Sequence, residues 1–440
     1  MSSGQPERRG RAIIMGCWLI YVATYIGRYN LSAVIGAMTD AGVMSRSQAG
    51  ILSSAFFFTY MIFQSVSAIA LRKADPIITI GIAAAASALV NAAMPMAARG
   101  PFLAACALWG AHGALQSAVW PCVVRLLTEG LPPGRLPRAM VLLNTSGSVG
   151  TALTYLATAW GVKAFSWQSA FYVPAALLLA AAIIWTARMP RLPGDVNAMA
   201  ELPKARAAGP PPDALPQPAD AETRAPLLPL VSFGVLAMLF LAAVNGFLRD
   251  GITAWLPTYI QDTFSVPAST AIFLSILIPA TKTVGPFVAG RLLAAAKSHA
   301  LACAVGMAVT LVSLCAVALW GSSSLPLTLA CLSLCAVMVV ALNTEIVCLY
   351  PLVFHKRGMT AQASSVINSF VYVGSVAGSA AFGFLADARG WQAVTILLCV
   401  LTGASLAASL AMLGWERHRE RRAAAPLRPM AFAENEASHQ

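Results

Sequence analysis

Charge is what this chain has least of. Of its 440 residues only 10% are Asp, Glu, Lys or Arg, while 58% are apolar and mean hydropathy is +0.72. Soluble domains carry about 25% charged and about 45–50% apolar residues, so a soluble globular domain is excluded. Disordered, collagenous and secreted disulfide-framework classes go with it. Histidine is scarce too, at five residues, and the nine cysteines lie scattered in or beside apolar runs. Cys331 and Cys335 stand one helical turn apart with no histidine or further cysteine pair nearby. They are expected to be small packing residues, not a zinc or redox centre. There is no Walker A phosphate loop, which argues against ATP-driven pumping, and no nucleophile–base or metal constellation to suggest an enzyme. No cofactor or metal is implied.

What the chain has in abundance is long apolar runs. Crossing a bilayer takes about 20 mostly apolar residues as a helix, and twelve such runs follow one another from 12–38 to 391–415. Runs of this length predict an all-α membrane protein and not an outer-membrane barrel. The first run follows Arg8, Arg9 and Arg11, as a signal peptide would, but continues too long and lacks a small-residue cleavage site, so an uncleaved first helix is expected. With the N-terminus inside, 22 of the 29 basic residues fall on the inner side and four on the outer, which places both termini in the cytoplasm. Topology thus accounts for the net charge of +12, and no nucleic-acid partner is implied. Ten of the 27 prolines fall between Pro190 and Pro229, marking a flexible linker. The predicted organisation is an N-terminal six-helix bundle (1–188), a cytoplasmic Pro-rich linker (189–229), a C-terminal six-helix bundle (230–415) and a basic tail (416–440). Two six-helix halves point to a repeat-built secondary transporter with its site between them.

Three basic residues belong to neither side: Arg28, Arg249 and Lys282. A charge at the centre of a spanning helix costs about 2.5–3.5 kcal/mol, which makes each a functional candidate. Arg28 and Arg249 lie at similar depths in the first span of each half, so repeat symmetry lets them face each other across a central cavity. Planar guanidinium forks suit carboxylate and phosphate oxygens. Asp250 is about 100° round the helix from Arg249 and is expected to point away from the same ligand. It is either a partner for Lys282 or a proton-coupling carboxylate. Glu345, in the tenth span with Asn343 and Thr344, is either structural, a carrier of a coupling proton, or a restraint on an arginine in the empty state. His112 is expected to pack or hydrogen-bond. Tyr25, Tyr60, Gln64, Gln116, Trp120 and Trp255 are candidates for the cavity wall.

The residues around these charges carry a resemblance. The stretch Tyr25–Ser32 (YIGRYNLS) resembles the arginine-bearing first helix of the organophosphate:phosphate antiporters of the major facilitator superfamily, which include bacterial glycerol-3-phosphate and hexose-6-phosphate exchangers. Leu248–Gly251 followed by Trp255–Tyr259 is similar to their seventh helix. Gly113, Gln116, Trp120, Pro121 and Arg125 resemble a fourth-helix pattern. Trp167–Pro174, Pro193–Val196 and Gly383, Asp387, Gly390 and Trp391 are further landmarks. The resemblance implies two bundles that rock about a central site, with a substrate phosphate held between Arg28 and Arg249. Two positions depart from the pattern: Gln64 stands where some members have lysine, and Gly147 where the glycerol-phosphate exchangers have histidine. Lys282 is the candidate replacement for the missing cation.

The expectation is therefore a monomeric, multi-pass transporter of the cytoplasmic membrane that exchanges a phosphorylated small metabolite for inorganic phosphate. Two alternatives stand beside it. One is a proton-coupled symporter of organic carboxylates, since the Arg28 stretch also resembles the anion:cation symporters. The other is a membrane-bound sugar-phosphate sensor.

Overall fold

The computed structural model describes residues 5–71, 74–189, 233–357 and 359–424. The predicted linker, the basic pair Arg72 and Lys73 and most of the tail lie outside the described residues. The described chain is helical throughout. Eight helices are long and apolar enough to cross a membrane, or nine if one bent pair counts as a single span. Twelve runs are legible in the sequence, and the difference has identifiable sources. The final helical segment, Thr360–Ala424, is two helices joined across a kink at Gly390, whose φ of 78° and ψ of 178° suit only glycine. Arg46–Ala70 and Leu136–Ala164 reach 25 and 29 residues, enough to span at about 1.5 Å per residue. The second of these is made more polar by the stretch Asn144–Ser148.

We number the helices that matter below in chain order: α1 (Gln5–Ile26), α2 (Asn30–Asp40), α3 (Arg46–Ala70), α4 (Pro76–Ala97), α5 (Phe102–Ser117), α6 (Val119–Gly130), α7 (Leu136–Ala164), α8 (Ser169–Arg188), α9 (Phe233–Phe264), α10 (Ala268–Leu274), α11 (Leu277–Lys282), α12 (Gly285–Ala296), α13 (His299–Trp320), α14 (Leu325–Thr344) and α15 (Thr360–Ala424).

Several spans are broken where charge is buried. The first predicted run breaks between α1 and α2 at Gly27–Tyr29, so Arg28 sits in a turn and not on a helix face. The break is pinned by Asn30, whose amide donates to Asn91 Oδ1 on α4 at 2.7 Å and to the Ala170 carbonyl on α8 at 2.8 Å. Lys282 ends α11, just before a 41° bend into α12. Glu345 opens a π-helical segment, Glu345–Leu349, that interrupts the tenth run. By contrast, α9 carries Arg249 and Asp250 through 32 unbroken residues.

The halves are not equally close at their two ends. Call the end where α1 and α9 begin the terminal end, and the other the far end. At the terminal end each half keeps its own core: Ile13, Ile20, Val123 and Trp185 in one, Met238, Cys303, Ile367 and Met412 in the other. At the far end a single core takes residues from both, joining Leu31, Phe56 and Tyr60 to Val244, Trp255 and Phe382. Polar contacts reinforce that closure. Arg46 Nη2 lies 2.8 Å from Asp262 and Nη1 3.6 Å from Asp387. The Ser47 amide donates to Asp387 at 2.7 Å, Gln261 to Asp40 at 2.6 Å, and the Tyr155 hydroxyl to the Thr253 carbonyl at 2.6 Å. Backbones also approach directly. A Cβ at Gly50 would lie 2.7 Å from the Ser379 carbonyl oxygen, and one at Gly383 would collide with the Arg46 carbonyl.

Candidate functional site

Arg28 projects from the α1–α2 break into a box of aromatic rings. Its guanidinium carbon lies 4.8 Å from the Tyr25 ring centroid, 4.7 Å from Tyr60 and 5.7 Å from Phe56. Its Nε donates to Gln116 Oε1 at 2.9 Å. Gln116 is itself fixed on α5, its amide donating to the Thr24 carbonyl at 3.1 Å and lying 2.9 Å from His112 Nε2. Gln116 is therefore a buried support that aims Arg28, more than a piece of open wall, and His112 hydrogen-bonds and packs against Trp109 as expected. Arg28 Nη2 is buried with no hydrogen-bond partner among the described residues. Cation–π contacts offset part of the cost of desolvating the charge, up to about 2 kcal/mol each, but they satisfy no N–H.

Arg249 meets its surroundings differently. Its Nε and Nη2 donate to Asp250 Oδ1 and Oδ2 at 3.0 and 2.7 Å, and its Nη1 to Asn343 Oδ1 on α14 at 3.0 Å. Asp250 Oδ2 also accepts from the Ser375 hydroxyl on α15 at 2.6 Å. This corrects the expectation for Asp250. Its Cα does sit about 100° round the helix, but its side chain folds back onto its neighbour's guanidinium, and among the described residues no other cation reaches it in ion-pair contact. Lys282 is not its salt-bridge partner; the ammonium lies 5.8 Å from the Tyr29 ring. Arg249 and Lys282 nevertheless line one cavity with Thr253 and Val340.

Tyrosines connect the two arginines. Tyr25, Tyr29 and Tyr372 lie within electrostatic reach of both guanidinium groups. Tyr60 and Tyr372 meet across the halves at 5.3 Å, and Tyr25 stacks on Tyr29 at 5.8 Å. A Cβ at Gly147 would touch Tyr25 at 3.0 Å, so the Tyr25 ring fills space that a larger residue there would need. Trp120 is half-buried, 5.3 Å from Tyr21, and Gln64 is half-buried one turn beyond Tyr60.

Two candidates fall elsewhere. Trp255 donates to the Ser379 carbonyl at 3.2 Å and packs on Trp391 at 6.0 Å, within the far-end core and not beside the arginines. Six residues beyond Arg249, it has rotated by about 240°, which turns it away from the arginines. Glu345 restrains neither arginine: its carboxylate pairs with His299 Nδ1, and the segment belongs to the terminal-end core. The sequence reading missed Tyr29, Phe56, Tyr372 and Ser375. Tyr29 adjoins Arg28 in the quoted stretch and was within reach, but Tyr372 and Ser375 come from a helix whose approach only tertiary packing reveals.

With this geometry in view, comparison with known proteins is decisive on family. Residues 17–358 match the model of the Major Facilitator Superfamily. The chain belongs to the major facilitator superfamily. Its solved neighbours in fold are transporters. A bacterial homolog of the human lysosomal transporter Spinster, inward-facing and occupied, superposes with a TM-score of 0.70 at 14% identity, covering 96% of this chain and 98% of that one. A D-xylose–proton symporter gives 0.65 at 12% identity, covering 92% and 96%. Among curated relatives, the membrane sensor protein UhpC of Escherichia coli K12 is 25% identical over 173 residues, 39% of each chain. A probable hexose phosphate transport protein of Chlamydia pneumoniae is 25% identical over 186 residues, 42% of this chain and 40% of that one. These matches span about two fifths of the curated relatives' length.

Proposed function

We propose that this superfamily member exchanges a phosphorylated small metabolite for inorganic phosphate by alternating access, with Arg28 and Arg249 as the anion's two principal contacts. The observation that carries the reading is the buried, partnerless Nη2 of Arg28, turned into a tyrosine-lined region that Arg249 shares. Such a nitrogen is costly to bury unless something accepts its hydrogen bonds. Formal charge supports an anionic substrate: Arg28, Arg249 and Lys282 against Asp250 leave the empty site with two positive charges. The hexose-phosphate name of one relative agrees with this class.

In twelve-span topology with both termini in the cytoplasm, the terminal end is the inner one. The arrangement is then inward-facing, with the far-end core and the Arg46 contacts sealing the outer side. Ligand bridging the two arginines offsets the cost of bringing the halves together at the inner end. An empty site lacks that offset, so return without cargo is slow and exchange is favoured. In this reading the protein works as a monomer in the cytoplasmic membrane.

Uptake of radiolabelled phosphate into proteoliposomes, with and without internal phosphate, tests the reading. We expect uptake only with internal phosphate, and its loss in both Arg28→Lys and Arg249→Lys, because a point charge cannot reproduce the bidentate fork. Wild-type exchange in either variant would end the two-arginine scheme. Two of the relatives are named membrane sensor proteins, which favours one second reading: saturable binding of a phosphate ester by folded protein, without exchange, would assign sensing instead. Uptake that follows the proton gradient with no heteroexchange would assign symport.

A further inference from the structure

Arg249 offers an incoming anion nothing on its preferred face. The Nε and Nη2 edge, the one that receives both oxygens of a carboxylate or phosphate, is taken by Asp250, and Nη1 is engaged by Asn343. Asp250 is held there from a second helix by Ser375, and its side chain is only 3% exposed. Resting on the anion-site reading above, we infer that Asp250 is a built-in competitor for Arg249: ligand binding requires this carboxylate to leave the fork, and it leaves by taking up a proton.

The reason is electrostatic. A carboxylate displaced from the fork by a dianion would remain in the same low-dielectric cavity beside it, and like charges there repel strongly. The groups around it and its arginine are Arg249 on its own helix, Ser375 and Tyr372 on α15, Lys282 on α11, Tyr25 on α1 and Tyr29 in the α1–α2 break. Arg249 is claimed by the ligand. Lys282 lines the same cavity and serves the ligand too, and the tyrosines add no positive charge. Protonation removes the repulsion: a water-borne proton adds to the carboxylate, giving a neutral acid whose O–H can donate to ligand or Ser375. Each anion bound at Arg249 then carries one proton into the site.

The experiment is calorimetric titration of inorganic phosphate into purified full-length wild type, Asp250→Asn and Ser375→Ala, at mildly acid and mildly alkaline pH, in two buffers of different ionisation enthalpy. Comparing each variant with wild type at the same pH cancels phosphate's own titration. A fork occupied about nine-tenths of the time weakens apparent affinity about tenfold. We therefore expect Asp250→Asn to bind about tenfold more tightly than wild type at alkaline pH. The gap should narrow on acidification, and the proton taken up per phosphate should fall by one in the variant. Ser375→Ala, which only loosens the carboxylate's hold, should move affinity the same way by about twofold to threefold. It keeps the test open if Asp250→Asn fails to fold, since a purely structural role for the pair predicts unchanged or weaker binding. Unchanged or weaker binding in both variants, with wild-type phosphate binding intact, overturns the competitor role alone. Absence of phosphate binding in folded wild type and both variants overturns the anion site and the inference with it.

Discussion

Arg28 and Arg249 occupy corresponding places in the two halves, yet the chain makes their charges tolerable by opposite means. Arg28 lies in a helix break, wrapped by three aromatic rings, with one nitrogen left without a partner among the described residues. Arg249 lies in an unbroken helix and brings its own counterion at the next residue. A broken span exposes free backbone groups toward a cavity, where charge is less costly. A continuous span has no such relief, and the charge must be neutralised side chain to side chain. Like position in the first span of each half therefore does not imply like electrostatics.

The largest test of this contrast is stability. Arg249→Met strands a buried carboxylate and should destabilise the protein by about 3–5 kcal/mol, read as thermal unfolding in detergent and restored in the double variant with Asp250→Asn. Arg28→Met leaves no unpaired carboxylate and should unfold close to wild type. Equal losses in the two single variants would break the comparison. Next is function: Arg28→Lys should reduce phosphate binding more than about a hundredfold, since two charge-assisted hydrogen bonds are worth about 3 kcal/mol or more together. Tyr60→Leu removes one ring face from Arg28 and should cost about tenfold in the same titration, whereas Tyr259→Leu, on the α9 surface against Trp391, should leave binding unchanged. The smallest effect concerns the far end. Arg46→Ala removes ion pairs that are more than a quarter exposed on the arginine side, worth about 1 kcal/mol at most. It should move the distance between spin labels on α3 and α9 modestly toward an open far end.

How much of this was legible beforehand depends on which force decides each feature. The bundle architecture and the two arginines come from transfer free energy along one chain, so apolar runs and misplaced charges disclose them directly. The breaks at Gly27–Tyr29 and Lys282 did not, because an apolar run looks the same whether its helix is continuous or interrupted by tertiary hydrogen bonds such as those of Asn30. Asp250 was misplaced for a related reason: helical angles locate Cα atoms, but two adjacent flexible side chains can curl together over a 100° offset. Trp255 turns away from the arginines and Glu345 does not reach them because each found its partner, Ser379 and His299, on a helix whose approach no local pattern encodes.

Gly50 and Gly383 bring the halves together backbone to backbone at the far end, with no side chain between them. These backbone approaches add little apolar area to the shared far-end core, and their tolerance is less than the width of a methyl group. That close fit makes these two positions wedges: alanine at either would hold the far end ajar without touching the arginines, and in the proposed rocking cycle would favour the arrangement in which the terminal end is shut.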